Sequence, residues 1–254
     1  MSIATSFQSG RIAIHYSDTG EGIPIVLVHG FSSSSEMWSE FPELEGYRVV
    51  KIDCRGHGAS DKPENPTDYG ENMVEDVHLL FKHLGISKAH LVGYSMGAEI
   101  SIRLATRYPE FVQSLTVGGS GWSQENDADN YNMLSTSLIE TGSFEGVFRA
   151  MWPDMSEEEI AAANSLIGEQ DPAGLAAVAA GMHQIICIPT DDFSNCHFPV
   201  LGITGELDPE RNNIEQLAEV FPDFRLTIIP RADHISAIVD PLFYTTITAF
   251  IAEY

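Results

Sequence analysis

Basic residues are scarce in this chain: 13 lysines and arginines stand against 37 aspartates and glutamates in 254 residues, a formal charge of −24. Nucleic acid and anionic membrane surfaces are gripped through a basic footprint, so neither is an expected partner. Cysteine is scarce as well. Cys54, Cys187 and Cys196 are odd in number and scattered, which does not suit a disulfide-stapled secreted fold, and a reducing cytoplasm is the expected compartment. No apolar run approaches the roughly 18 residues that span a bilayer. Met1 to Ser6 lack the basic start and apolar core of a secretory signal, so a soluble protein is expected. Internal repeats and low-complexity tracts are also missing.

What is present is a sequence of strand and helix signals long enough for one large α/β domain with an insertion. Ile3 to Gln8 and Arg11 to Tyr16 alternate across Ser9-Gly10, a two-residue hairpin signal that predicts antiparallel edge strands. Ile25-Val26-Leu27-Val28 is a continuous apolar run, as expected of a strand covered on both faces, and it ends in His29-Gly30-Phe31. Tyr47 to Ile52 makes a further strand and delivers Asp53-Cys54-Arg55-Gly56-His57-Gly58-Ala59-Ser60. Met73, Val74, Val77, Leu80, Phe81 and Leu84 follow helical spacing, and Gly85 stands where a helix-ending glycine belongs. His90 to Val92 is a strand, Ser95 to Arg107 a helix, and Val112 to Val117 a strand again. Alternating strands and helices imply right-handed crossovers and a mostly parallel central sheet flanked by helices.

Strand signals then cease for about eighty residues. Between Gly121 and Val200 thirteen acidic residues accompany one basic residue, Arg149, which marks a separate solvated layer. Ser156-Glu157-Glu158-Glu159 resembles a capping box before a helix over Ala161 to Ile167. Asp171-Pro172 places a capping acid before a first-turn proline, with Leu175 to Met182 following. Residues 122–189 therefore read as a helical cap inserted into a core formed by residues 1–121 and 190–254. The core resumes at Val200 to Thr204, with a helix around Ile214 to Val220, a strand at Arg225 to Ile229 and a last helix from Pro241 to Ala252.

The residues that carry chemistry lie at strand ends. Gly93-Tyr94-Ser95-Met96-Gly97 has the Gly-x-Ser-x-Gly pattern, in which a sharp strand-to-helix bend lifts a serine hydroxyl clear of the sheet. Glycines two before and two after the bend remove side chains that would collide with the neighbouring strand or helix. A bare pattern of this kind is weak evidence by itself. It gains weight from His29-Gly30-Phe31 at the end of an earlier strand, Gly205-Glu206-Leu207-Asp208 at the end of a later one, and Arg231-Ala232-Asp233-His234 after the last.

In that combination, and over its whole length, the chain resembles the α/β-hydrolase fold superfamily, whose chain order is Ser, then acid, then His. The stretch from Asp53 to Ser60 resembles the Asp-x-Arg-Gly-x-Gly-x-Ser turn of the same superfamily. The resemblance implies a catalytic triad of Ser95, Asp208 and His234, and an oxyanion hole formed by the amides of Phe31 and Met96. The chemistry suits these residue types: a serine hydroxyl needs an imidazole to take its proton and return it to the leaving group, and the imidazole needs a carboxylate behind it. No cofactor and no metal is expected. Parallel strands end at one edge, where residues distant in sequence converge.

Other readings compete. Asp208 before Pro209 also suits a helix cap, Glu206 is a rival acid, and Asp233 is read as a loop residue. His29, Arg55, His57 and Ser60 are read as bracing turns, and Cys54 beside His57 as packing instead of a thiol and base pair. His183, Cys187, Cys196 and His197 lack a common zinc spacing. Tyr94, Trp122, Phe148, Met151, Trp152, Met182 and Ile235 are candidate walls of a substrate pocket, though several at helical spacing suit core positions equally. With Arg149 the one positive residue of the cap, a small neutral or apolar substrate is expected. A small carboxylic ester or lactone is the leading expectation. Relatives implied by the resemblance also include carbon–carbon hydrolases, cofactor-free perhydrolases and non-turnover ligand receptors.

Overall fold

A computed structural model describes residues 3–123, 129–151, 155–158, 160–161, 164 and 171–254 of the chain. Its centre is an eight-stranded sheet in the order β1-β2-β4-β3-β5-β6-β7-β8. The strands are β1 (Ile3–Ser9), β2 (Ile12–Gly20), β3 (Ile23–Val28), β4 (Tyr47–Ile52), β5 (Ala89–Tyr94), β6 (Val112–Gly118), β7 (Val200–Gly205) and β8 (Phe224–Ile229). Strand β1 pairs antiparallel with β2 across Gly10, and β2 antiparallel with β4. From β4 to β8 every pairing is parallel. The edge hairpin and parallel centre expected from the apolar patterns are both present.

Both faces of the parallel strands are covered, which explains their unbroken apolar runs. Val26 and Val28 join one core cluster with Val50, Ile52 and Leu91, while Ile25 and Leu27 join another with Trp38, Val92 and Phe243. Helices α1 (Glu71–Leu84) and α2 (Met96–Arg107) line the first face. Helix α1 ends at Gly85 in the left-handed conformation, as the sequence predicts.

Helices α3 (Asp129–Thr141), α4 (Glu145–Met151) and α5 (Pro172–Ile186) follow β6 and precede β7. Asp171 caps α5 by accepting from the amides of Ala173 and Gly174. The helix expected over Ala161 to Ile167 falls mostly outside the described residues. After β7 the expected helix around Ile214 is short: α6 (Arg211–Glu215) tightens into a 3-10 turn over Gln216–Glu219. The buried pair Ile214 and Leu217 is three residues apart, a spacing that a three-per-turn helix satisfies. Helix α7 (Pro241–Ile251) starts on Asp240, whose side chain accepts from the Leu242 amide, and closes the second face through Phe243, Ile247 and Phe250. No described helix is long and apolar enough to cross a membrane.

Candidate active site

The carboxyl ends of β3, β5, β6, β7 and β8 share one edge because these strands run parallel. At the end of β5, Ser95 has a positive φ of 53° with ψ of −121°, a backbone conformation that an L residue adopts only at a cost. The bend has no room for side chains on either side. A Cβ on Gly93 would lie 2.2 Å from the Gly97 carbonyl oxygen, and one on Gly97 would lie 2.1 Å from that of Val28. The Ser95 amide donates to the Gly118 carbonyl at 2.7 Å, which ties the bend to β6.

This placement brings Ser95 Oγ to 3.1 Å from His234 Nε2, although the two are 139 residues apart. His234 Nδ1 lies 3.2 Å from each carboxylate oxygen of Asp208. A carboxylate accepts, so Nδ1 carries the ring proton and Nε2 is left to accept from the serine hydroxyl. Burial favours the neutral ring, but the Asp208 hydrogen bond and charge, with Glu210 and Glu99 adding, leave the His234 pKa raised. Asp208 also accepts from the Glu210 amide at 2.9 Å, so it orients the ring and caps the following turn at once.

The rival acids have other employment. Glu206 Oε2 accepts from the Arg231 amide at 2.8 Å, where Arg231 itself has a positive φ of 61°. Asp233 Oδ1 accepts from the Ile235 amide, the Ser236 amide and the Ser236 hydroxyl, folding the chain just after the strand into a tight turn. Both acids therefore shape the loop that presents His234.

Tyr94 is buried under that loop. Its hydroxyl donates to the His234 carbonyl at 2.6 Å, and its ring lies 5.6 Å from the imidazole. Of the other pocket candidates, Trp122 is buried, donates from Nε1 to the Ile188 carbonyl at 2.8 Å and packs edge-on against Phe193, joining the two ends of the segment between β6 and β7. Met182 is fully buried in the main core. Phe148 is half-buried, 6.1 Å from Phe144, which in turn packs 5.8 Å from Phe31. Ile235 is 66% exposed. Trp152 lies outside the described residues, as does the side chain of Met151.

The loop carrying Phe31 sits directly beside the bend: a Cβ on Gly30 would lie 3.3 Å from Ser95 Cβ. It is braced from behind by His29, whose Nδ1 donates to the Gly30 carbonyl and whose Nε2 accepts from the Cys54 amide. Asp53 accepts from the Ser35 and Ala59 amides, Ser60 Oγ donates to the Asp53 carbonyl, and Arg55 makes a two-pronged pair with Asp76. Burial pushes the Cys54 thiol well up and holds His57 near a pKa of about 3, so neither is a nucleophile or base near neutrality. Among the described residues no three His, Cys, Asp or Glu side chains gather as metal ligands. Cys187 donates to the His183 carbonyl, and Cys196 is buried against that of Ala105.

Three residues at this edge escape a reading of the sequence. Glu99 is half-buried in the first turn of α2 with Ser120 Oγ 2.9 Å from Oε1 and Tyr131 Oη 2.5 Å from Oε2. The available signal was the spacing of four from Ser95, which puts Glu99 one helical turn along with its side chain leaning back toward the serine. Nothing local in the sequence points to Ser120 or Tyr131.

A protein-family model described as alpha/beta hydrolase fold matches residues 23–163, more than half of the chain. Over 252 residues the chain is 28% identical to a Bacillus subtilis protein provisionally named 2-succinyl-6-hydroxy-2,4-cyclohexadiene-1-carboxylate synthase, covering 90% of each. Over 255 residues it is 29% identical to a provisionally named non-heme chloroperoxidase of Synechocystis sp., covering 89% of this chain and 90% of the other. Among solved structures, the enol-lactonase of Burkholderia xenovorans superposes with a TM-score of 0.80 at 21% identity, over 98% of this chain and 100% of that one.

Proposed function

This chain belongs to the alpha/beta hydrolase fold family, and from that premise we propose that it is a serine hydrolase cleaving a small carboxylic ester or lactone through an acyl-serine intermediate. The observation that carries the reading is the unbroken relay from Asp208 through His234 to Ser95, at 3.2 Å and 3.1 Å.

In this reading His234 Nε2 takes the Ser95 proton as Oγ attacks the carbonyl carbon. The imidazolium so formed is stabilised by Asp208, which stays ionised. Negative charge collects on the carbonyl oxygen, and the amides of Met96 and Phe31 are assigned to receive it. The Met96 amide opens α2 and has no intrahelical acceptor, so it is available, and the positive end of the helix dipole adds to its pull. A donor of this kind is worth about 2.7 to 4 kcal/mol of barrier. The intermediate collapses as His234 returns its proton to the leaving alkoxide. Water then attacks the acyl-serine by the same route and regenerates Ser95.

Charge supports a neutral or apolar substrate. Glu99 and Glu210 both act on His234, while Arg149, the one basic residue between Gly121 and Val200, is exposed and paired with Glu145 and Glu157. The apolar series Phe31, Phe144 and Phe148 favours burial of an acyl or lactone chain. The likeness to a protein provisionally named a non-heme chloroperoxidase favours, as a second reading, a cofactor-free perhydrolase using the same three residues.

A panel of p-nitrophenyl esters and lactones tests the reading, with Ser95→Ala as control. Multiple turnover that disappears in the variant is expected. Equal turnover by the purified variant would overturn it.

A further inference from the structure

We propose that Glu99 is a positioning residue for the reaction at Ser95, its half-buried carboxyl clasping Tyr131 of α3 and Ser120 after β6, and setting the charge felt by His234. The role rests on the serine-hydrolase reading of Ser95. Glu99 stands four residues beyond the serine, and its amide donates to the Ser95 carbonyl at 3.2 Å. Helical side chains lean toward the helix start, so the carboxyl reaches back to the catalytic edge.

There it joins parts of the molecule that nothing else in this relay joins. Ser120 follows β6 and donates to Oε1 at 2.9 Å, while Tyr131 belongs to α3 and donates to Oε2 at 2.5 Å. Tyr131 also packs 6.5 Å from Phe31, so the same residue touches the loop assigned to the oxyanion hole. The groups facing Glu99 from the surrounding loops are Glu210, beyond Asp208, and His234 itself. Glu210 is occupied by the amides of Asn213 and Asn130.

Withdrawing a carboxylate from water is costly unless donors meet it, and Ser120 and Tyr131 supply them. Burial, with the Glu210 charge adding, pushes the Glu99 pKa up to about 7 against the donors from Tyr131 and Ser120 and the opposing effect of His234. Tyr131 is held neutral, as a donor, by its own burial and by Glu99. As a carboxylate Glu99 accepts from both partners. Once protonated it donates from one oxygen, and the hydroxyl facing that oxygen must turn from donor to acceptor. Its negative charge also raises the proton affinity of His234, which stabilises the imidazolium that forms as Ser95 attacks.

The test is the pH profile of kcat and KM between pH 5 and 9, on an ester the wild type turns over, for Glu99→Gln, Tyr131→Phe and the double variant. Glutamine matches the shape and removes the charge. The acid limb of the Glu99→Gln profile is expected to move down by about half a pH unit, and kcat to fall several-fold on the plateau. Tyr131→Phe keeps the carboxyl, opens the clasp and, by removing a donor, favours the protonated form of Glu99: KM is expected to rise about fivefold, with kcat on the alkaline plateau within about twofold. The double variant should bind no worse than the weaker single one, because both changes break the same link.

An acid limb unmoved in Glu99→Gln would overturn the proposal, since a merely structural carboxyl affects stability and leaves the limb in place. Should Glu99→Gln fold too poorly to assay, a wild-type KM in Tyr131→Phe overturns it and a fivefold rise supports it. Absence of turnover in the wild type would instead sink the reading of Ser95, and this role with it.

Discussion

Two conflicting demands meet at Ser95: the backbone must turn with a positive φ, and the side chain must stand within 3.1 Å of an imidazole supplied from the other end of the chain. Removing the hydroxyl should cost activity and little stability. Ser95→Ala is expected to lower ester kcat/KM by at least about a thousandfold with the melting temperature nearly unchanged. Asp208→Asn should leave a trace, a loss of about ten-thousandfold, because the amide favours the wrong ring tautomer. Glu206→Gln keeps an oxygen for the Arg231 amide, so its kcat/KM should stay within a few-fold; a larger loss there than at Asp208 would move the acid role to Glu206. Glu99 adds a signature in stability. Its pKa is raised from 4.5 to about 7, so the folded state holds the proton more tightly, and its contribution is full below about 4.5 and lost as pH rises through 7. Glu99→Gln lacks that loss. Its melting temperature relative to wild type should climb from pH 5 to pH 8, and parallel curves would contradict the assignment. Ser95, Asp208 and His234 were legible as candidates because each follows a strand in the order that the resemblance implies. Glu99 was not, because its partners Ser120 and Tyr131 meet it only through tertiary packing.

The bend after β5 is the element on which the site depends, and its glycines make separable predictions. Gly97→Ala would force a methyl to 2.1 Å from the Val28 carbonyl oxygen, and Gly93→Ala to 2.2 Å from that of Gly97, where both neighbours are backbone. Either should destabilise by more than about 3 kcal/mol or prevent soluble expression. Gly10→Ala, with open space around it and a φ of 62°, should cost only about 1 to 2 kcal/mol, measured by urea unfolding. Equal costs at the two kinds of position would show that the bend tolerates side chains. Local patterns of this sort reach the sequence surface: the hairpin at Gly10, the stop at Gly85 and the Asp171-Pro172 cap all appear where the residues predict them. The short α6 did not, because the choice between an α-helix and a 3-10 turn over residues 214–219 depends on burying Ile214 and Leu217 against the sheet.

At the scale of the whole molecule, the parallel sheet gathers the serine, acid and histidine at one edge; buried His29 and His57 brace loops there, while His90, at the other end of β5, meets Ser114 of β6. His29, His57 and His90 are all held neutral by burial, with His90 lowered to about 4 and His57 to about 3. A depressed folded-state pKa contributes stability above 6.5 that is lost as pH falls toward the folded value. The stability of wild type relative to His90→Gln should therefore shrink between pH 6.5 and pH 4, read from urea midpoints; a constant gap would show that His90 carries its charge in the fold. The substrate is the part least legible from sequence, since the segment between β6 and β7 meets the core through scattered contacts such as Tyr131 to Glu99 and Phe144 to Phe31. The central claim, that Ser95 is a nucleophile activated by His234, is tested most directly by a fluorophosphonate probe with the adduct located by peptide mass spectrometry. One adduct on the peptide containing Ser95 is predicted, absent in Ser95→Ala and formed far more slowly in His234→Ala. An adduct on another serine, or unchanged labelling after loss of His234, would contradict it.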